Sequence, residues 1–226
     1  MDFLTWPQVV QRLCGKTIAV VGSAPSVLDN EPGYIDQHDL VVRVNNYKTG
    51  EVQGRRCDVH YSFYGSSLRK SAADLQRDGV KLCLCKCPDA KALESDWHER
   101  NGKVNGIDFR YIYQNRKDWW FCDTFVPDTQ RFLDKFELLG KHIPTTGFSA
   151  ILDVLDCQPR SVYLTGFDFF TSGLHNVDEH WKQGDPNDPI RHRPDLEAAW
   201  LHDNESNYPL TFDATLRKMM RAMVPA

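Results

Sequence analysis

Three histidines, His175, His180 and His192, fall in a stretch from 170 to 195 that also carries Gly173, Gly184, Pro186, Pro189 and Pro194. Imidazole exchanges its proton near neutrality, so such a cluster is the first place to seek acid–base chemistry. Long loops inside compact domains are also often functional. A second candidate is the turn Gly22-Ser23-Ala24-Pro25-Ser26 after the apolar run 17–22. A glycine at the carboxyl end of a strand, then small hydroxylated residues leading toward a helix, leaves backbone N–H groups free for an anion. A merely tight connection is the alternative. A third is the run Cys83, Cys85 and Cys87 in VKLCLCKCP. On a strand, residues two apart share a face at a spacing of about 6.7 Å. Thiolates on one tetrahedral zinc, with arms of about 2.3 Å, must approach to about 3.8 Å. A regular strand holds these sulfurs too far apart, so they read as small buried apolar side chains.

Two phosphate motifs are refused. Gly15-Lys16-Thr17 resembles the tail of a P-loop, but Val10 stands where the leading glycine belongs, and the segment precedes a strand. The turn after the first strand has one glycine where the dinucleotide fingerprint wants three. Neither an ordinary NTPase nor a nicotinamide enzyme is expected.

The elements that must position these residues alternate. Thr5 can cap a first helix with Pro7 in its opening turn, apolar positions at Phe3, Leu4, Val9, Val10 and Leu13, and Gly15 at its end. Strands are expected over 17–22, 39–45, 58–64, the cysteine run, 109–113 and 161–169. Helices are expected over 67–79, 89–100, 129–140 and 146–155. Such alternation predicts an α/β fold: one Rossmann-like domain over 1–226, with a mostly parallel sheet flanked by helices.

Composition bounds the function. Of 226 residues, 41% are hydrophobic and 26% charged, which excludes wholesale disorder. A net charge of −4 gives no overall electrostatic reason to seek nucleic acid. No apolar stretch approaches membrane-spanning length and the first residues lack a signal pattern, so a soluble, uncleaved chain is expected. Seven cysteines in no recognisable framework point to a reducing compartment, the cytoplasm. A last helix puts Leu216, Met219, Met220 and Met223 on one face, with Arg217, Lys218 and Arg221 elsewhere. That pattern suits either a peripheral membrane contact or packing on the domain.

Residues 16–50 (KTIAVVGSAPSVLDNEPGYIDQHDLVVRVNNYKTG) resemble the large motif of the animal-type sialyltransferases, glycosyltransferase family 29. The matching pieces are Val21-Gly22-Ser23, Ile35-Asp36-Gln37-His38-Asp39 and Arg43-Val44-Asn45. The small motif appears as Pro144-Thr145-Thr146-Gly147 and Val162-Tyr163-Leu164-Thr165-Gly166-Phe167. The family's later histidine motifs are matched by His175-Asn176-Val177-Asp178 and by His192-Arg193-Pro194-Asp195-Leu196-Glu197. GSAPS, TTGFSA and LTGFDFF also look like the bacterial sialyltransferases of family 42. Ser23 departs from the expected asparagine. Ile18 stands where the secreted family has a disulfide cysteine, so that disulfide is not expected here.

The resemblance implies a GT-A-like sialyltransferase variant using a CMP-activated acidic sugar, sialic acid or Kdo. Transfer would invert the anomeric carbon and deliver the sugar to a glycan or glycolipid hydroxyl, such as one of a lipopolysaccharide or capsule. CMP leaves as a phosphate monoester with no diphosphate to chelate, so no metal and no other cofactor is expected. No Asp-x-Asp ends a strand in the expected position, and Asp168 is flanked by aromatics. His192 is the implied base. Pro194 favours a helix start just after it, whose positive end would favour the neutral imidazole. His175 is the implied donor to the phosphate, with His180 its rival.

Gly22, Ser23, Asn45, Thr145, Thr146, Gly147 and Gly166 are the implied nucleotide-binding residues; a strand-end turn for Asn45 and helix capping for the threonines are the alternatives. Glu197 would orient a neighbour or merely be a first-turn acid. Trp119 and Trp120 would stack on the acceptor sugar or else join the core. Two other readings stay open: a non-catalytic nucleotide- or sugar-binding module, and a Rossmann-type methyltransferase. The second lacks its expected acid at the end of the second strand, where Arg43-Val44-Asn45-Asn46 stands.

Overall fold

The computed structural model describes residues 3–64, 68–88, 121–171 and 192–223. Among them, seven strands form one sheet: β1 (Thr17–Val21), β2 (Leu40–Val44), β3 (Val59–Ser62), β4 (Leu82–Cys85), β5 (Asp123–Phe125), β6 (Ser161–Thr165) and β7 (Leu210–Phe212). Their order is β5-β4-β3-β2-β1-β6-β7, and every neighbouring pair is parallel. Six α-helices, counted among the described residues, accompany them: α1 (Trp6–Leu13), α2 (Ala72–Arg77), α3 (Thr129–Leu138), α4 (Thr146–Asp156), α5 (Pro194–Asp203) and α6 (Ala214–Met223). This is the Rossmann-like α/β architecture that the alternation predicts.

The central strands are mostly apolar because both faces are covered. On β1, Ile18 and Val20 join the main core while Ala19 and Val21 join a smaller cluster with Val27, Ile35 and Tyr163. On β4, Leu82 and Leu84 face the main core, and Cys83 and Cys85 face a satellite cluster that also holds Cys87. The cysteines therefore pack as small apolar groups, with Cys122 Sγ 3.4 Å from Cys83 Sγ.

Several boundaries differ from expectation. α2 begins after Ser71, whose hydroxyl accepts from Asp74 N, rather than near 67. β6 stops at Thr165 because Gly166 turns into the left-handed region at φ 74°. The residues after β1 form a 3₁₀ turn, Pro25–Asp29, instead of a full helix. Strands β5 and β7 were not expected, since three residues are too few to show a period. The expected helix over 89–100 and strand over 109–113 lie outside the described residues.

The last helix settles onto the domain. Asp213 Oδ1 accepts from Leu216 N at 2.6 Å, and Leu216 and Met220 are buried in the main core. The apolar face thus packs inward, the alternative to a membrane contact. Among the described residues no helix is long and apolar enough to cross a membrane.

Candidate functional site

β1 and β6 are sheet neighbours, and from them the chain order runs outward in both directions. In doubly wound sheets the crevice beyond the carboxyl ends of such a switch point is where ligands bind. A cavity of about 390 Å³ lies there, within the size range of small-molecule sites. Gly22, Ser23, Asn45, Thr145, Thr146, Gly147, Gly166 and His192 all line it, joined by Asp168 and Glu197. His175, His180, Trp119 and Trp120 lie outside the described residues.

The β1/β6 rim is backbone against backbone. A Cβ on Gly22 would overlap the Gly166 carbonyl oxygen, and one on Gly166 would come within 2.8 Å of the Gly22 oxygen. Gly22 N donates to Thr165 O and Ala24 N to Gly166 O, both at 2.8 Å. This corrects part of one expectation: the Gly22 and Ala24 N–H groups are not free for an anion, and Pro25 has none. The glycines here allow the two turns to touch.

A second rim is the start of α4 together with the approach to α5. Thr145 is the N-cap of α4, its hydroxyl accepting from Phe148 N at 3.0 Å and donating to Glu197 Oε2 at 2.8 Å. Thr145 N also donates to Glu197 Oε1 at 2.6 Å. Thr145 therefore performs the capping role, and Glu197 orients Thr145. Burial pushes the Glu197 carboxyl up to about 7, against the pull of its two Thr145 donors. Thr146 and Gly147 supply first-turn N–H groups, which no carbonyl of their own helix can reach. A Cβ on Gly147 would meet the Phe167 ring at 2.6 Å, so this glycine too is set by packing.

His192 sits two residues before Pro194, as expected, with Arg193 as N-cap of α5. Its Nδ1 is 2.7 Å from Ile143 O. A carbonyl can only accept, so Nδ1 carries the proton and Nε2 keeps a lone pair. Burial, and secondarily the Lys86 ammonium, push this imidazole down to about 4. Neutrality was expected from the helix end; desolvation and Lys86 are the causes found. Lys86, itself 5% exposed at the end of β4, gave no sign in the sequence.

Asn45 closes the β2 side, its Oδ1 accepting from Ser62 Oγ at 3.0 Å. The fourth wall, beyond β6, was missed. Phe169 and Phe170 stand at φ 51° and 62°, left-handed conformations that cost bulky residues on the order of 1–3 kcal/mol each. Asp168 Oδ1 accepts from Phe170 N at 3.0 Å within that turn. Among the described residues, no lysine or arginine lines the cavity.

No protein-family model matches the chain, and no curated protein matches its sequence. Solved structures match in fold. The Campylobacter jejuni sialyltransferase CstII in complex with CMP-3FNeuAc is 16% identical, over 90% of this chain and 85% of that one, with a TM-score of 0.57. CstII with cytidine-5'-monophosphate is 15% identical, over 88% and 80%, at 0.55. A mammalian sialyltransferase in complex with Gal-beta-1-3GalNAc-ortho-nitrophenol is 17% identical, over 92% and 77%, at 0.56.

Proposed function

We propose that the protein is an inverting glycosyltransferase that moves an acidic sugar, sialic acid or Kdo, from a CMP-sugar to a glycan or glycolipid hydroxyl. One observation carries this reading: eight residues chosen from separate sequence motifs line a single cavity at the switch point of the sheet. The fold is shared with sialyltransferases that were solved with CMP and CMP-3FNeuAc, which supports the choice of donor.

In this reading, His192 Nε2 accepts the acceptor hydroxyl proton as the new C–O bond forms at the anomeric carbon. The bond to the CMP phosphate breaks on the opposite face, which inverts the centre. A pKa near 4 makes a weak base. The negative charge of a bound donor would raise it toward a useful value. First-turn N–H groups of Thr146 and Gly147, at the positive end of α4, meet the charge left on the phosphate. Asn45 contributes a side-chain donor. Gly22, Ser23 and Gly166 shape the floor. His175 belongs to the donor side, and Trp119 and Trp120 to the acceptor. No metal or other cofactor takes part, and the enzyme works in the cytoplasm.

Purified protein incubated with CMP-sialic acid and with CMP-Kdo tests the reading through CMP release. Turnover of one donor is expected. CMP binding with no turnover of either would favour the non-catalytic module.

A further inference from the structure

Two non-glycine residues near the β2/β3 edge of the cavity are left-handed, Asn45 at φ 50° and Tyr64 at φ 54°. Side chains with a Cβ disfavour that region, so something must hold them there. Both are tied to one imidazole. His60 is 0% exposed, with Nε2 2.9 Å from Asn45 O and Nδ1 3.0 Å from the Tyr64 hydroxyl. A carbonyl only accepts, which places the proton on Nε2 and leaves Nδ1 as an acceptor for Tyr64.

Ser62 makes the second tie. Its hydroxyl accepts from Tyr64 N at 3.1 Å and contacts the Asn45 amide at 3.0 Å. Ser62 is 1% exposed, so its proton needs a protein acceptor, and among the described residues only Asn45 Oδ1 offers one. That requirement fixes which way the amide faces. Oδ1 is committed to Ser62, and Nδ2 has no partner among the described residues on a residue that lines the cavity.

We propose that His60 and Ser62 are positioning residues that hold Asn45 left-handed and orient its amide so that it offers the ligand a hydrogen-bond donor and no acceptor. The group recognised there is a ligand oxygen that accepts, whether carbonyl, phosphate or carboxylate. Burial keeps His60 neutral, its pKa pushed down to about 4, so the tie to Asn45 persists across the physiological range. The identity of the ligand rests on the proposed CMP-sugar reading; the orientation of the amide does not.

Calorimetry with CMP on the full chain, together with NMR of the His60 ring, separates the two. Asn45→Ala should weaken CMP by about 5–100-fold, and Asn45→Asp at least as much, because a carboxylate has no donor. Ser62→Ala frees the amide to turn over and should weaken CMP about 3–10-fold. His60→Phe should lose about as much. His60→Gln, whose Nε2–H reaches a similar point, should stay within about threefold of wild type. Long-range ¹H–¹⁵N correlation should show the Nε2–H tautomer.

Unchanged CMP affinity in Asn45→Ala would overturn the nucleotide reading, while the His60 tautomer still judges the tie to Asn45. If Asn45→Ala weakens CMP but folded Ser62→Ala does not, the positioning role is overturned. An Nδ1–H tautomer overturns it too, even if His60→Phe fails to fold.

Discussion

Along the β1/β6 rim of the cavity the backbone touches itself, whereas along the α4/α5 rim buried titratable side chains make the contacts. Gly22 and Gly166 use their missing side chains to bring two turns together, and their neighbouring N–H groups are satisfied across the gap. On the other rim, Glu197 holds Thr145 at the start of α4, and His192 has one ring nitrogen bonded to Ile143 and keeps Nε2 as an acceptor. One rim gives shape and the other holds the groups that can move a proton. A motif that touches the site therefore mixes two kinds of residue, and single substitutions should tell them apart.

The largest effect is expected on the chemical rim. His192→Ala should lower turnover by about 10²–10⁴-fold, the usual worth of a positioned acid–base group. CMP affinity should change little, because a base serves the acceptor and not the nucleotide, while loss of the hydrogen bond to Ile143 should cost about 1–3 kcal/mol of stability. A folded His192→Ala protein that binds CMP and transfers at near-normal rate would move the base elsewhere, with His180 next to test.

On the shaping rim the loss should appear in stability. Gly22→Ala forces a methyl group into the Gly166 carbonyl and should cost about 3 kcal/mol in urea denaturation, at the upper end for overpacking. Gly33→Ala is the control. That glycine, unlike Gly22, is left-handed, at φ 77°, and nothing lies within 4 Å of its would-be Cβ, so only the backbone term of about 1–2 kcal/mol applies. A loss at Gly22 no larger than the one at Gly33 would show that the close approach to Gly166 is not what demands glycine there.

Much of this arrangement was legible in the sequence. The apolar runs of β1, β2 and β6 announce a buried parallel sheet, and Pro194 marks the start of α5. What the order of residues could not convey is who meets whom. Thr145 and Glu197 are 52 positions apart, and their pairing exists only once α4 and α5 are packed. The large-motif resemblance had a similar limit. Arg43, in that motif, is 1% exposed and donates to the carbonyls of Gln53, Gly54 and Arg56. Asp39 is spent on Thr17, and Asp36 on Arg55 N. Of that motif's ionisable groups these three are architectural, and the neutral Asn45 reaches the cavity. His60 carried a faint signal, a polar residue in the middle of a strand with otherwise apolar neighbours.

A smaller effect, a slope, sharpens the role of Glu197. Its carboxyl titrates near 7 in the folded chain, against an ordinary value of 4.5. Between those values the folded state holds a proton that the unfolded state has released, so this group lowers stability as pH rises. His60 and His192, both pushed from 6.5 down to about 4, act in the opposite sense: their contribution is present above 6.5 and is lost as pH falls toward 4. Glu197→Gln removes only the first. Its stability relative to wild type should climb from about pH 4.5 to 7, by at most about 1.4 kcal/mol per unit, and then level. Urea melts across that range giving parallel profiles would mean that Glu197 is ionised throughout.

The smallest effect expected is none, and it tests whether the chemical rim suffices at the phosphate. Diphosphate donors are commonly held through a metal because two adjoining phosphates can chelate it. A CMP-sugar leaves behind one phosphate monoester, so the charge to be met is smaller and has a single centre. The start of α4 offers the equivalent of roughly half a positive charge, with first-turn N–H groups that the helix itself leaves without a carbonyl. Hydrogen bonds from such preorganised donors are strong where water is excluded. Turnover in excess chelator should therefore equal turnover without it. Activity abolished by chelation and restored by magnesium would mean that the α4 terminus does not carry the leaving-group charge. Asp168, 6% exposed in the cavity wall, would then be the first carboxylate to examine as a metal ligand.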